Sequence, residues 1–190
     1  MTFLPIKNKP DLTSLESFVI EIENIIPSNV ADSLIQYGYD NECWTRMTAK
    51  SRGVTGKFST YMLYDFSHII YDHINHIWEE FMTLHPEFNL TFIEPCEIKG
   101  YHTSDYFNIH RDNYPLQCNN EDRIVNLIIQ LSDQNSYDGG GLGMMTINGP
   151  YYAKKLKCNG IFFMADYSHW VTDVTNGSRY SLISHAWGKN

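Results

Sequence analysis

Apolar and polar residues alternate through FVIEIENII, residues 18–26, with the two-residue period of a half-buried strand. PSNVADSLIQYGYD follows, and its Ser28 stands where a side-chain oxygen caps the first free N–H groups of a helix. Between Ser67 and Leu84 the period lengthens. Ile70, Ile74, Ile77, Trp78, Phe81 and Met82 recur at helical spacing, which predicts an amphipathic helix packed on a sheet and ended by Pro86. His73 and His76 fall in that helix, but three residues is the ordinary separation of neighbours on a helix face, so they read as surface histidines.

After Pro86 short β-rich runs take over, separated by Gly, Asn, Asp and Pro: LTFIEPCEIKGY, YFNIH, RIVNLIIQLS, GGLGMMTI, AKKLK, GIFFMA, HWVTDV and RYSLISHAW. A strand and two helices followed by a train of strands predicts a mainly β protein with flanking helices. The architecture it favours is a double-stranded β-helix (jelly roll) core backed by the N-terminal helices. The N-terminal strand and helices are expected over about residues 1–88 and the jelly-roll core over about 89–188, in a single domain covering 1–190.

Composition narrows the class. With 190 residues, 43% of them hydrophobic, the chain supports one core of ordinary size. It holds no apolar run long enough to cross a bilayer, and MTFLPIKNKPDLTS lacks the apolar stretch of a signal peptide. Cys43, Cys96, Cys118 and Cys158 are scattered with no CxxC pair, the pattern of reduced thiols in a cytoplasmic protein. A net charge of −8, from 14 basic and 22 acidic residues, argues against a broad nucleic-acid surface. The basic exception is RMTAKSRGVTGK, where Arg46, Lys50, Arg52 and Lys57 crowd a segment rich in Gly, Thr and Ser. It reads as a solvated flexible loop; the sharper alternative is a lid over an acidic or phosphate-bearing substrate.

The chemistry starts at YFNIHRDNYP, residues 106–115. His110 and Asp112 stand two apart, on one face at the end of a strand. Two ligands do not hold a metal ion, and GIFFMADYSHWVTDVTNGSRYSLISHAWG supplies a third. Its apolar strand ends in a turn at Asp166, Tyr167 and Ser168, and His169 opens the next strand, with Trp170 turned away from the metal by alternation. Ten residues on, Arg179 and Ser181 share a face. TNGS, between His169 and Arg179, reads as a tight turn that folds the arginine strand back beside the histidine strand. Two imidazoles and one carboxylate are the donor set of a non-haem iron(II) facial triad, which leaves three positions open. The planar guanidinium of Arg179 suits a carboxylate held by paired bonds.

HxD at His110 and Asp112, the distal His169, and Arg179 followed by Ser181 resemble the 2-oxoglutarate-dependent Fe(II) dioxygenases. The nearest likeness is the prolyl-4-hydroxylase-like branch, whose pattern H-x-V…G-x-R-Y-S-L is met by HWVTDVTNGSRYSL. YDGGGLGMM resembles the Gly-Gly segment of the same branch. The resemblance spans about residues 95–188. It implies Fe(II), 2-oxoglutarate and O2, with room for ascorbate, and a reaction that hydroxylates a C–H bond and releases succinate and CO2. The implied partner is a peptidyl (prolyl included) or small-molecule substrate. By the same resemblance His110, Asp112 and His169 hold the metal, and Arg179, Ser181 and Tyr101 hold the co-substrate, although Tyr101 also reads as a core aromatic. A carboxylate at 112, rather than the small residue of related halogenases, implies hydroxylation.

His185 departs from the pattern. Prolyl hydroxylases usually carry a tryptophan at that place and the nucleic-acid demethylases a second arginine. It reads either as a residue facing the substrate or backing the site, or as a satisfied core histidine; Gln130 and Asn113 are further candidates on that side. Substrate contacts are expected from the loop NYPLQCNNED and from residues 46–60. The rival readings are a non-catalytic jelly-roll binding module, a nucleic-acid-directed oxygenase or demethylase, and a zinc hydrolase using the same three ligands. The last leaves Arg179 and Ser181 unexplained.

Overall fold

The computed structural model describes residues 18–51, 53–113 and 121–189. The first half holds β1 (Val19–Ile22), α1 (Ser28–Asp40), β2 (Thr45–Ser51), β3 (Val54–Met62), α2 (Ile70–Leu84), a 3-10 turn (Pro86–Phe88) and β4 (Leu90–Ile93). Then come β5 (Glu97–His102), β6 (Tyr106–His110), β7 (Glu121–Gln130), β8 (Tyr137–Gly139), β9 (Leu142–Thr146) and β10 (Gly149–Tyr152). β11 (Gly160–Met164), β12 (His169–Val171) and β13 (Val174–Lys189) complete the chain.

Antiparallel pairing joins the strands in the order β1-β11-β7-β13-β5-β3-β6-β12-β9-β10. β3 is the corner of this sheet. Its Ser59–Met62 half pairs with β5, while Gly56 and Lys57 pair with β6. The sheet thereby curls over on itself as the mainly β roll expected from the strand-rich second half, with α1 and α2 on the outside of the larger layer.

Strand alternation sorts the larger layer into two faces. Outward-facing Ile98, Leu127, Ile129, Phe162 and Leu182 pack with Leu34 of α1 and with Ile74, Trp78 and Phe81 of α2. Trp78 is fully buried there and its Nε1–H donates to Ser184 Oγ at 2.9 Å, so the one polar atom of the ring is satisfied. Burying such a ring contributes about 2–3 kcal/mol. Inward-facing Phe58, Tyr101, Ile128, Ile161, Phe163 and Ile183 meet Leu142, Met144, Val171 and Val174 of the smaller layer. The inner cluster is therefore the lining of the roll.

Several elements differ from the sequence expectation. RMTAKSRGVTGK is a hairpin, β2 paired with β3 from Thr45↔Thr60 to Ser51↔Val54. The charges at its two ends, Arg46 and Lys57, are paired. The Arg46 guanidinium binds both oxygens of the fully buried Asp105 carboxylate, and Lys57 Nζ lies 3.8 Å away. This ion pair pins the hairpin to the turn after β5, so neither a flexible loop nor a lid describes it; Arg52 itself lies outside the described residues.

Ser28 is the first residue of α1 rather than its cap. Pro27 holds the cap position with φ −64°, and its carbonyl accepts from Val30 and Ala31. LTFIEPCEIKGY breaks into β4 and β5, and AKKLK forms no strand. TNGS is not a hairpin turn: residues 175–178 lie within β13, which pairs with β8 across a bulge. Gly177 takes φ +74° there, where a Cβ would sit 2.2 Å from the Ser136 carbonyl oxygen. His169 and Arg179 are thus brought together by the roll itself, β12 lying between β6 and β9 in the smaller layer and β13 in the larger.

Candidate active site

His110 closes β6 and His169 opens β12, and the two are direct cross-strand partners, so both rings leave the same face. Packing sets their planes: Phe107 stacks on His110 with centroids 3.8 Å apart, and Phe163 meets His169 edge-on at 5.1 Å. Backbone carbonyls set their tautomers. His110 Nδ1–H donates to Asn108 O at 2.8 Å and His169 Nδ1–H to Tyr167 O at 3.0 Å, which leaves each Nε2 as a lone pair. Asp112 lies just past β6, and its N–H and that of Asn113 both donate to Ala165 O at the end of β11. Those bonds carry the carboxylate into the roll.

His110 Nε2 lies 3.7 Å from Asp112 Oδ1, and His169 Nε2 lies 3.3 Å from Asp112 Oδ2. All three donor atoms fall within 4.8 Å of one another. They are two imidazole nitrogens and a carboxylate converging on one point, an arrangement that suits a cation. Burial pushes His110 down to about 4, the neighbouring His169 adding to the effect, so the neutral, metal-binding ring is the form present at neutral pH. Burial alone would raise Asp112; His169, His185 and His110 outweigh it and hold the carboxyl well below the usual range. The donor set fits iron(II): nitrogen and oxygen ligands, open to one side.

Asn126 and His185 stand behind Asp112. They are cross-strand partners on β7 and β13. Asn126, fully buried, donates through Nδ2 to Asp112 Oδ2 at 2.8 Å, and its Oδ1 accepts from His185 Nδ1–H at 2.8 Å. His185 is therefore two bonds removed from a metal ligand. Burial pushes it down to about 4, so it is a neutral donor in this chain of bonds. Asn126 was not legible as a site residue from spacing; only the register of β7 on β13 and β11 shows that it faces inward.

The second half of the site surrounds Arg179, which is 2% exposed. Its Nη1 donates to Ser181 Oγ at 3.3 Å, and its guanidinium carbon lies 5.3 Å from the centre of the Tyr101 ring, its partner across β5 and β13. Tyr101 thus packs against the cation while also belonging to the inner apolar cluster. Among the described residues no carboxylate forms an ion pair with Arg179, which leaves a buried guanidinium without a counter-charge. The guanidinium also meets the Tyr137 hydroxyl and faces a cleft lined by Ile128, Leu142 and Ile161 and by the polar groups of Gln130, Tyr137 and Asn159. Gln130 Nε2 donates to Tyr137 OH at 3.0 Å, and Gln130 stands beside Arg179 in the lining of this cleft.

Of the remaining candidates, Asn113 is half-buried beside Asp112, and Trp170 points away from the ligands and covers Gly143. His73 is half-buried and His76 exposed on α2, outside the ligand cluster. Within NYPLQCNNED, residues 114–120, Cys118 among them, lie outside the described residues. Cys43, Cys96 and Cys158 are free thiols. No helix is long and apolar enough to cross a membrane among the described residues.

Comparison with known proteins agrees with this geometry. The family model of the 2OG-Fe(II) oxygenase superfamily matches residues 96–187, a span that contains all three donors and Arg179. No curated protein sequence shows significant similarity to the chain. Among solved structures, a prolyl-4-hydroxylase from Pseudomonas putida superposes with a TM-score of 0.71 at 15% identity, over 92% of this chain and 94% of that one. The viral collagen prolyl hydroxylase of Paramecium Bursaria Chlorella virus-1, solved with 2OG, gives 0.71 at 16% identity over 90% and 96%. A Trichoplax adhaerens prolyl hydroxylase, solved with a hypoxia inducible factor peptide fragment, gives 0.68 at 14% identity over 88% and 82%. At such identities the likeness carries the fold. The profile match over residues 96–187 and the donor set it encloses support a 2OG-Fe(II) oxygenase, and the chain has the fold of the prolyl-4-hydroxylase structures.

Proposed function

We propose that this chain is a hydroxylase that couples conversion of 2-oxoglutarate to succinate and CO2 with hydroxylation of a C–H bond in a polar small molecule or a peptidyl residue. The observation that carries the reading is Arg179: a buried guanidinium with no counter-charge among the described residues, in the same roll as three converging metal donors. A dicarboxylic co-substrate supplies the missing anion. His110, Asp112 and His169 would hold the iron. Bound there with 2-oxoglutarate and O2, it supplies the oxidising power that no side chain has.

The protein's own work is placement and exclusion. Asn108 O and Tyr167 O keep both Nε2 lone pairs aimed at one point, and Asn126 fixes the Asp112 carboxylate. Arg179, steadied by Ser181 and Tyr101, orients the distal carboxylate, while Ile128, Leu142 and Ile161 keep water from the cleft. Peptide binding by the Trichoplax relative supports a peptidyl substrate. His185, Lys99 and Glu97 on the inner wall support a polar one.

The test is stoichiometric. With Fe(II) and 2-oxoglutarate, succinate forms in step with oxygen consumption, and Asp112→Ala abolishes both. Turnover unchanged in that variant, or hydrolysis without oxygen uptake, contradicts the proposal.

A further inference from the structure

The inner wall carries a charged pair that the metal site and the Arg179 cleft do not use. Glu97, Lys99 and Tyr101 alternate onto the inside of β5, while Ile98 between them packs against the helices. Lys99 stands in register between Thr60 of β3 and Ser181 of β13, one step along the wall from the Tyr101–Arg179 pair. Its Nζ lies 5.1 Å and 5.2 Å from the ring centres of Phe58 and Phe107. Phe107 is the ring stacked on His110, so the ammonium sits one aromatic ring away from a metal donor. Glu97 Oε2 lies 3.4 Å from Lys99 Nζ, and Glu97 Oε1 accepts from Thr60 Oγ1 at 2.7 Å. The Lys99 side chain is 15% exposed and that of Glu97 22%.

We infer that Glu97 and Lys99 are the receptor for a zwitterionic head group, and that the substrate is a free α-amino acid, its carboxylate received by Lys99 and its ammonium by Glu97. The inference rests on the oxygenase reading only for the reaction that follows binding. Charge decides among substrate classes. An anion alone meets Lys99 but is repelled by Glu97 within 4 Å of it, and a cation alone meets the reverse. An interior peptide residue brings neither charge, and closing it over the wall buries both ions with nothing gained. A group carrying both signs exchanges one ion pair for two and leaves the site neutral.

As a purely structural pair these residues are a poor choice, because an apolar side chain between Phe58 and Phe107 packs at least as well as a partly buried ion pair. Burial works against the charged form of Lys99, but Glu97, Tyr101 and Asp112 outweigh it and keep the group an ammonium. It is a cation one aromatic ring from the His110 donor.

The experiment is equilibrium binding of the twenty common L-amino acids to the full chain loaded with Mn(II) and 2-oxoglutarate, each best binder repeated as its N-acetyl and its carboxamide derivative. A free amino acid is expected to bind, and each cap to weaken it by roughly 10-fold or more, since each removes one of two charge-assisted contacts. Lys99→Met and Glu97→Gln should each reproduce the loss seen with the matching cap, and Lys99→Arg should restore most of it. The capped-ligand series on the unmodified protein decides the matter even if a variant fails to fold. Binding of free amino acids without succinate formation in the Fe(II) protein overturns the oxygenase reading and leaves the receptor standing. Succinate formation driven by capped or interior peptides, with no free amino acid bound, overturns the receptor and leaves the oxygenase standing.

Discussion

Replacing Asn126 with Leu removes two bonds and little volume. Asn126 has no exposed surface, and it spans the Asp112 carboxylate and the His185 ring through contacts of 2.8 Å each. In the variant Asp112 Oδ2 loses its amide donor and His185 Nδ1–H loses its acceptor, both inside a water-poor wall. A hydrogen bond to a charged group contributes about 1.5–3 kcal/mol. Removing a residue that orients a metal ligand typically costs roughly 10- to 100-fold in metal affinity, which at about 1.4 kcal/mol per decade is the same magnitude. Anaerobic calorimetric titration of the metal-free protein with Fe(II), or with Mn(II) as a stable surrogate, is expected to show that loss for Asn126→Leu. His185→Phe, whose hydrogen-bonded link to Asp112 runs through Asn126, is expected to show a smaller one. An Asn126→Leu affinity within about twofold of the unmodified protein, or a larger loss in His185→Phe, refutes the chain of bonds from His185 through Asn126 to the ligand.

The cleft gives a second prediction: Arg179→Met weakens 2-oxoglutarate binding by roughly 100-fold, from the 2–5 kcal/mol that one side of a buried charge pair is worth, while metal binding measured without co-substrate is retained. Lysine at the same place recovers only part of it, because a point charge does not make paired bonds. His185 sets a pH dependence in the metal-free protein. Its folded pKa of about 4 lies below the 6.5 of the unfolded chain. The unfolded state therefore binds the proton first, so this contribution to stability is complete above pH 6.5 and is lost as the pH falls toward 4. Across that window the loss is about 3 kcal/mol, and urea denaturation should show a shallower decline for His185→Gln. Finally, Gly177→Ala combines a φ of +74° with a Cβ placed 2.2 Å from the Ser136 carbonyl oxygen, whereas Gly53→Ala at φ +83° meets nothing within 4 Å. Thermal melting should place the first about 2 kcal/mol or more below the unmodified protein and the second only about 1 kcal/mol below it.

The features legible in the sequence were those with local spacing. His110 and Asp112 two apart at a strand end, and Arg179 and Ser181 two apart on another, declare a shared face by alternation alone. His169 joined them as the residue opening the strand after GIFFMA, and the roll then brought the three donors within 4.8 Å. What stayed hidden depends on register between distant strands. Asn126 reads as one polar residue in an apolar run until β13 places His185 opposite it. Tyr137 and Gln130 meet beside Arg179 only because β8 and β7 both pair with β13. The hairpin at 45–62 was hidden for an electrostatic reason: Arg46 and Lys57 looked like solvated charge until Asp105, more than forty residues on, turned out to be buried between them. TNGS misled because a turn-like composition serves equally well for a bulge within one strand.

The central claim is that three donors and one buried guanidinium form a single site for iron and a dicarboxylic keto acid. Anaerobic addition of Fe(II) and 2-oxoglutarate tests it directly, through the visible charge-transfer absorption that appears only when the keto acid chelates the metal. The account predicts this band in the unmodified protein, its loss in His169→Ala, and a far higher 2-oxoglutarate requirement in Arg179→Met. No band in the unmodified protein, or a band of equal strength in His169→Ala, contradicts it.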